Sequence, residues 1–152
     1  MKKHVLGLAA VALAIPPAAN AADPVAAVKA DAAKLQADVS AAHDTLIADA
    51  QKLAADAAAA KGKSKGDAKA AIKPDLQKLH SDASAFRAAL KADRAQLKAD
   101  LAAAKQTKGA VKELRPTLKS LRQSVRQSRT EIRAELRKAR QAVKELRASF
   151  AK

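Results

Sequence analysis

The sequence predicts an all-α fold: an up-down-up antiparallel three-helix bundle, or coiled coil, of long alanine-rich helices over 24–61, 68–107 and 110–151. Three observations carry this. Apolar residues recur at spacings of three and four along each stretch, which puts them on one face of a helix. Two short polar segments containing glycine, at 61–67 and 106–109, separate the stretches. Alanine is the commonest residue and a strong helix former, while the chain has no Cys, Trp or Tyr and only two Phe.

Ahead of that pattern stands a different kind of segment. Lys2, Lys3 and His4 give a charged start, residues 5–15 form an apolar run, Pro16-Pro17 break it, and Ala19-Asn20-Ala21 is an A-x-A cleavage signal. The run is too short to span a membrane. It is expected to be a signal peptide, residues 1–21, cleaved after Ala21, so that 22–152 form one helical domain in a periplasm or outside the cell. No Cys stands near the cleavage point for lipid attachment, and two lysines are not a twin-arginine signal. The destination permits disulfides, which this chain has no Cys to make. A segment this short suits a bacterium.

The first helix starts at Asp23-Pro24, with Asp as the cap and Pro in the first turn. Val25, Val28, Ala32, Leu35, Val39, Ala42, Leu46, Ala50, Leu53 and Ala57 then form one narrow apolar stripe. Residues 61–67 hold two Gly, three Lys and no large apolar residue, and read as a turn. The second stripe is Ile72, Leu76, Leu79, Ala83, Phe86, Leu90, Leu97, Leu101 and Ala104. Short loops between long helices favour antiparallel neighbours. A free monomeric bundle is preferred over an oligomeric coiled coil and over a partly ordered rod. Alanine buries little surface, so stability should be modest, and association into a homo-oligomer would add burial.

Sliding the chain by 44 aligns 24–61 with 68–105, with half of the positions identical. Asp31, Asp38, Asp49 and Asp56 fall on Asp75, Asp82, Asp93 and Asp100, and Leu35, Leu46 and Leu53 fall on Leu79, Leu90 and Leu97. This register predicts an internal duplication. The third stretch shares only its start with the others, where Leu114-Arg-Pro-Thr-Leu echoes Ile72-Lys-Pro-Asp-Leu; both prolines are expected in a first turn or at a mild kink.

Residues 110–151 differ in chemistry. An apolar row from Val111 through Leu114, Leu118, Leu121, Val125, Ile132, Leu136, Ala139, Val143 and Leu146 to Phe150 is broken only at Ser128, and a row of cations runs beside it. Residues 22–108 carry 15 Lys or Arg against 11 Asp, a net of +4, whereas 109–152 carry 13 against four Glu, a net of +9. The first part uses Lys with Asp and the last mainly Arg with Glu. Arg offers a planar fork matched to carboxylate and phosphate oxygens.

Catalysis finds no support. The serines have no consistent His neighbour, and no HExxH, phosphate-cradling loop or metal-ligand cluster is present. His43 and His80 could approach each other across the first two helices, but a zinc site needs further ligands, and both read as surface or boundary residues. No enzyme activity, cofactor or metal is expected. Asp49, Asp56, Asp93 and Asp100 fall near seam positions and should meet cations. Back-and-forth folding puts Asp93 and Asp100 beside Lys119, Arg122 and Arg126, and Asp49 and Asp56 beside Arg137, Arg140 and Lys144. Part of the basic row would then be paired internally, or merely solvated.

What pairing leaves over is an anion-attracting face, with Arg115, Arg122, Arg126, Arg129, Arg133, Arg137 and Arg140 as the expected contact residues. Export argues against intracellular nucleic acid, and the aromatics that stack on single strands are missing. Anionic polymers, lipid headgroups and acidic proteins remain as partners. The expected function is that of an exported, non-enzymatic helical protein binding such partners. A periplasmic holdase-type chaperone and a structural coiled-coil envelope protein are the alternatives. In general character, being small, basic, cysteine-free and all-helical, the chain resembles the Spy and Skp families of periplasmic chaperones. It lacks the LTxxQ motif of the first and the strand segment of the second, so no site residue follows from the likeness.

Overall fold

The computed structural model describes residues 23–150; the signal peptide expected over 1–21 lies outside them. Three α-helices, α1 (Pro24–Ala59), α2 (Lys65–Ala104) and α3 (Ala110–Ser149), pack against one another, and no strand occurs among the described residues. The start of α1, at Val25 and Val28, meets Ala104 at the end of α2 and Leu114 at the start of α3. Its end, at Leu53 and Ala57, meets Ile72 of α2 and Val143 and Leu146 of α3. Thus α1 runs antiparallel to α2 and parallel to α3.

The central helix is α1. All ten residues of its predicted stripe are buried, from Val25 to Ala57. Their small size is the reason: Ala and Val at a contact let helix axes approach closely, so α1 can accept a neighbour on each side. It packs along its length on both α2 and α3, whereas α2 and α3 hardly approach each other. Between those two the facing residues are mostly Ile, Leu and long cations, bulkier than the alanines and valines at the α1 contacts. Leu76 of α2 remains 37% exposed, and Val111, expected to begin the α3 core row, is 53% exposed.

Local signals set the helix ends, with two corrections. Asp23 caps α1, its Oδ1 accepting from the Val25 N–H at 2.9 Å. The predicted turn over 61–67 is shorter, because Ser64 caps α2: its Oγ accepts from the Asp67 N–H at 3.2 Å and donates to the Asp67 carboxylate at 2.7 Å. Lys65, Gly66 and Asp67 therefore form the first turn of α2. Gly62 and Gly109 supply the positive φ angles of the two turns, 89° and 86°, which side chains with a Cβ disfavour. Pro74 and Pro116 lie inside their helices rather than in first turns. Each removes one backbone donor, and the helices continue through them.

The expected pairing of the aspartates with α3 is also corrected. Asp49 and Asp93 do lie at a seam, but it is the α1–α2 seam, and their partners are lysines. Lys34 reaches Asp93 and Asp38, Lys78 reaches Asp49 and Asp82, and Lys52 reaches Asp75 and Asp56. Each lysine clamps one carboxylate four residues along its own helix and one across the seam. The lysines themselves stay solvent-accessible, as long amphipathic side chains can. The offset of 44 that aligns the sequences also relates these pairs. Exchanging α1 with α2 carries Lys34–Asp93 onto Lys78–Asp49, and Lys52–Asp75 onto residue 96 with Asp31. Residue 96 is Gln, which instead donates to Asp100 at 3.1 Å. Burial, then Asp100 and Asp93, raise the Asp31 carboxyl above its ordinary range.

Candidate anion-binding site

At 100° per residue, α3 separates its charges onto two flanks. Glu113, Glu131 and Glu145 project on the flank toward α1, where they pair with Lys29, His43 and Lys61. Glu135 pairs with Lys138 at 2.6 Å, three residues along the same helix. All four glutamates are therefore engaged, and none of these pairs uses an arginine. Lys61, then Gln141, hold the Glu145 carboxyl below its ordinary range, and Gln127, then His43, do the same for Glu131.

The opposite flank carries the arginines. Arg115, Arg122, Arg126, Arg129, Arg133, Arg137 and Arg140 are all exposed. Among the described residues, no arginine comes within ion-pair distance of a carboxylate. The expected contacts of Arg122, Arg126, Lys119, Arg137, Arg140 and Lys144 with aspartates do not form: Asp49, Asp56 and Asp93 are held by lysines of α1 and α2, and Asp100 accepts from Gln96. A row of like charges three and four apart, without counter-charges, opposes the helix by a few tenths of a kcal/mol per pair, roughly.

Between α2 and α3 lies a groove that joins part of this row to cations of α2. It consists of hollows of about 600, 540 and 490 Å³. Leu76 and Arg147 are shared by the first two, and Arg87 by the last two, so they follow one another along the seam. The floor is apolar: Ile72, Leu76, Leu79 and Leu90 from α2, and Ile132, Leu136, Val143 and Leu146 from α3. The walls are cationic, with Lys65, Lys69, Lys73, Arg87, Lys91 and Arg94 facing Arg129, Arg133, Arg140, Lys144 and Arg147. No Asp or Glu lines it.

Of the seven predicted contact residues, the structure thus brings Arg129, Arg133 and Arg140 to the groove and leaves Arg115, Arg122, Arg126 and Arg137 on the outer surface. The α2 cations were missed. A signal for two of them existed, since Arg87 and Arg94 are the only arginines before residue 109 and stand one heptad apart. The two histidines do not share a site. His43 lies between Asp44, at 2.8 Å, and Glu131 of α3, at 2.5 Å, while His80 lines the groove. Asp44, then Glu131, raise the His43 imidazole above its ordinary range against the opposing effect of burial.

No cluster of three metal-ligating side chains occurs among the described residues, and no helix among them is long and apolar enough to cross a membrane. No protein-family model, curated protein or solved structure matches the chain.

Proposed function

We propose that this chain is an exported, non-enzymatic helical protein that binds anionic partners, namely envelope phosphates, polyanions or acidic proteins, through the Arg-rich flank of α3. One observation carries this: eight arginines stand exposed along one helix without an ion pair, while every glutamate of that helix is held by a lysine or histidine. A charged face that served only solubility could keep its acids among its cations. Here three of the four acids pair toward α1 and the fourth with Lys138, and the uncompensated arginines form an extended field that draws anions in and is weakened by salt.

Inorganic polyphosphate is a suitable probe, because it offers phosphate oxygens without any apolar group. Affinity is expected to fall linearly in log–log form with salt, each arginine contact adding about 0.7 to 1 to the slope. Replacing Arg129, Arg133, Arg137 and Arg140 with Gln should reduce the slope accordingly and weaken binding at least about tenfold at low salt. Unchanged binding by that variant refutes the proposal. A holdase-type chaperone is the second function, supported by the apolar floor between cationic walls. It requires suppression of aggregation of acidic unfolded clients near equimolar amounts, and no suppression at several-fold excess removes it.

A further inference from the structure

The α2–α3 groove differs from the rest of the arginine face in having an apolar floor, and this asks for more than a polyanion. We propose that the groove docks one amphipathic α-helix of a protein partner, lying as a fourth member of the bundle, with an apolar stripe on the floor and Asp or Glu on both of its flanks. The proposal rests on the anion-binding function above and names the partner for that site.

Three properties of the groove lead to this occupant. The first is length. Its α2 wall runs from Lys65 to Arg94, which at 1.5 Å per residue is about 45 Å. An acyl chain, spanning only half of a bilayer core of roughly 30 Å, would fill a third of that. A helix of about 28 residues fills it. The second is periodicity. Leu76, Leu79, Ala83 and Leu90 on one side and Ile132, Leu136, Ala139 and Val143 on the other recur at the threes, fours and sevens by which a helical surface receives another helix.

Charge and shape supply the third. Lys69, Arg87 and Arg94 on one wall and Arg133, Arg140 and Arg147 on the other require acids on both flanks of what lies between them. The apolar residues sit below these cations, and among the described large hydrophobics only Leu76 and Val111 are exposed. A flat anionic bilayer would touch the rims without desolvating the floor, whereas surface-active helices insert a convex apolar face. A partner helix enters the concavity. The molecule contains its own precedent, since α1 seats a narrow apolar stripe against α2 while its Asp49 meets Lys78.

The test uses a synthetic peptide of about 28 residues with Leu at the stripe positions, Glu on both flanks and one Trp. The protein has no Trp or Tyr, so the emission belongs to the peptide alone. One-to-one binding, a blue shift of the Trp emission and a gain of peptide helicity by circular dichroism are expected. Leu76→Gln, at a half-open position that does not hold the core, should weaken the peptide at least about tenfold while leaving polyphosphate affinity within about twofold. The pair Arg87→Glu and Arg140→Glu should reject this peptide and accept a Lys-flanked twin. Equal binding of a scrambled peptide of the same composition overturns the proposal, as does indifference to Leu76→Gln. If phosphatidylglycerol vesicles bind with that same Leu76 dependence and the peptide does not, the occupant is lipid and the proposal falls. A wild-type protein that binds polyphosphate but not the peptide refutes the groove alone; a wild-type protein that does not bind polyphosphate refutes the anion-binding function beneath it.

Discussion

The two flanks of α2 make the instructive contrast. Toward α1 it presents Asp75, Asp82 and Asp93 with Lys78, and toward α3 it presents Lys69, Lys73, Arg87, Lys91 and Arg94. Its first seam is closed, with small residues opposite and carboxylates clamped by lysines. Its second seam is open, with bulkier apolar residues below and cations on both sides. Closure of a seam therefore needs both small contact residues and charges of opposite sign. Two unit charges 4 Å apart interact by about 1 kcal/mol in water and by about 4 at an effective dielectric constant of 20. Cations on both walls repel one another, so they oppose closure of the α2–α3 seam, most strongly at low salt. The same arrangement that makes α1 the structural centre leaves the α2–α3 side available for binding.

The largest test of this contrast compares leucines on the two sides. Leu35, 3% exposed, packs between Ala32, Val39 and Leu121 with Leu90 and Leu97 against them. Leu35→Ala should cost about 2–5 kcal/mol and lower Tm by on the order of 10 °C. Leu76→Ala, at the open seam, should cost less than about 1 kcal/mol, because the leucine is already partly in water. Thermal melts of the two variants by circular dichroism check the prediction, and equal losses would mean that the α2–α3 seam is as closed as the others.

Helix number, connectivity and the core of α1 were legible because spacing by threes and fours is an intrinsic property of the chain. All ten α1 stripe residues are buried as expected. The charge pairing was not legible. Asp49 and Asp93 were correctly placed near a seam, but a heptad position does not say which of two neighbours it faces. The rotation that turns them toward Lys78 and Lys34 is set by the close fit of alanines and valines between helices. For the same reason the arginine row is visible in the sequence, while the α2 cations that face it are not. Lys69 and Lys73 look like any solvated lysines until α3 is laid beside them. The sequence does not show the true length of the turn at 61–67, because Lys65-Gly66 resembles a loop, whereas Ser64 with Asp67 three residues later is a capping pair.

The missing ion pair offers a smaller test. Gln96 stands where the offset of 44 calls for the counterpart of Lys52, and Asp31 and Asp100 are left beside each other without a clamping ammonium. Gln96→Lys should give Asp31 the kind of cation that Asp75 has, stabilising the fold by about 0.2–1 kcal/mol, the usual range for an accessible pair. The sign depends on pH. The Asp31 pKa is raised in the folded chain, so at neutral pH the ionised carboxylate costs stability, and that cost is relieved as pH falls through the raised value, fully by the ordinary 3.8. The gain from the lysine is therefore expected at neutral pH and should vanish near about pH 3. A gain of equal size at both pH values, measured by urea melts, would mean that the new side chain acts through packing instead.

The smallest expected effect lies at the α1–α3 seam, where one histidine stands in place of a lysine. His43 pairs with Asp44 and Glu131, and its pKa is raised from the ordinary 6.5. A raised histidine favours the folded chain while protonated, so this contribution is fully present below about pH 6.5 and is lost as pH rises through the folded value. Asp38, Asp56 and Asp82 work in the opposite sense. Their clamping lysines hold them below 3.8, and the stability they add is lost only as pH falls through those lowered values. The two contributions therefore separate in pH. Melts between about pH 5.5 and 8.5 isolate the histidine, and the wild-type Tm should decline across that range more than that of His43→Gln. The Lys29–Glu113 and Lys61–Glu145 pairs lie at the same seam. Parallel declines in the two proteins would show that the His43 imidazole adds nothing to the joining of α3 to α1.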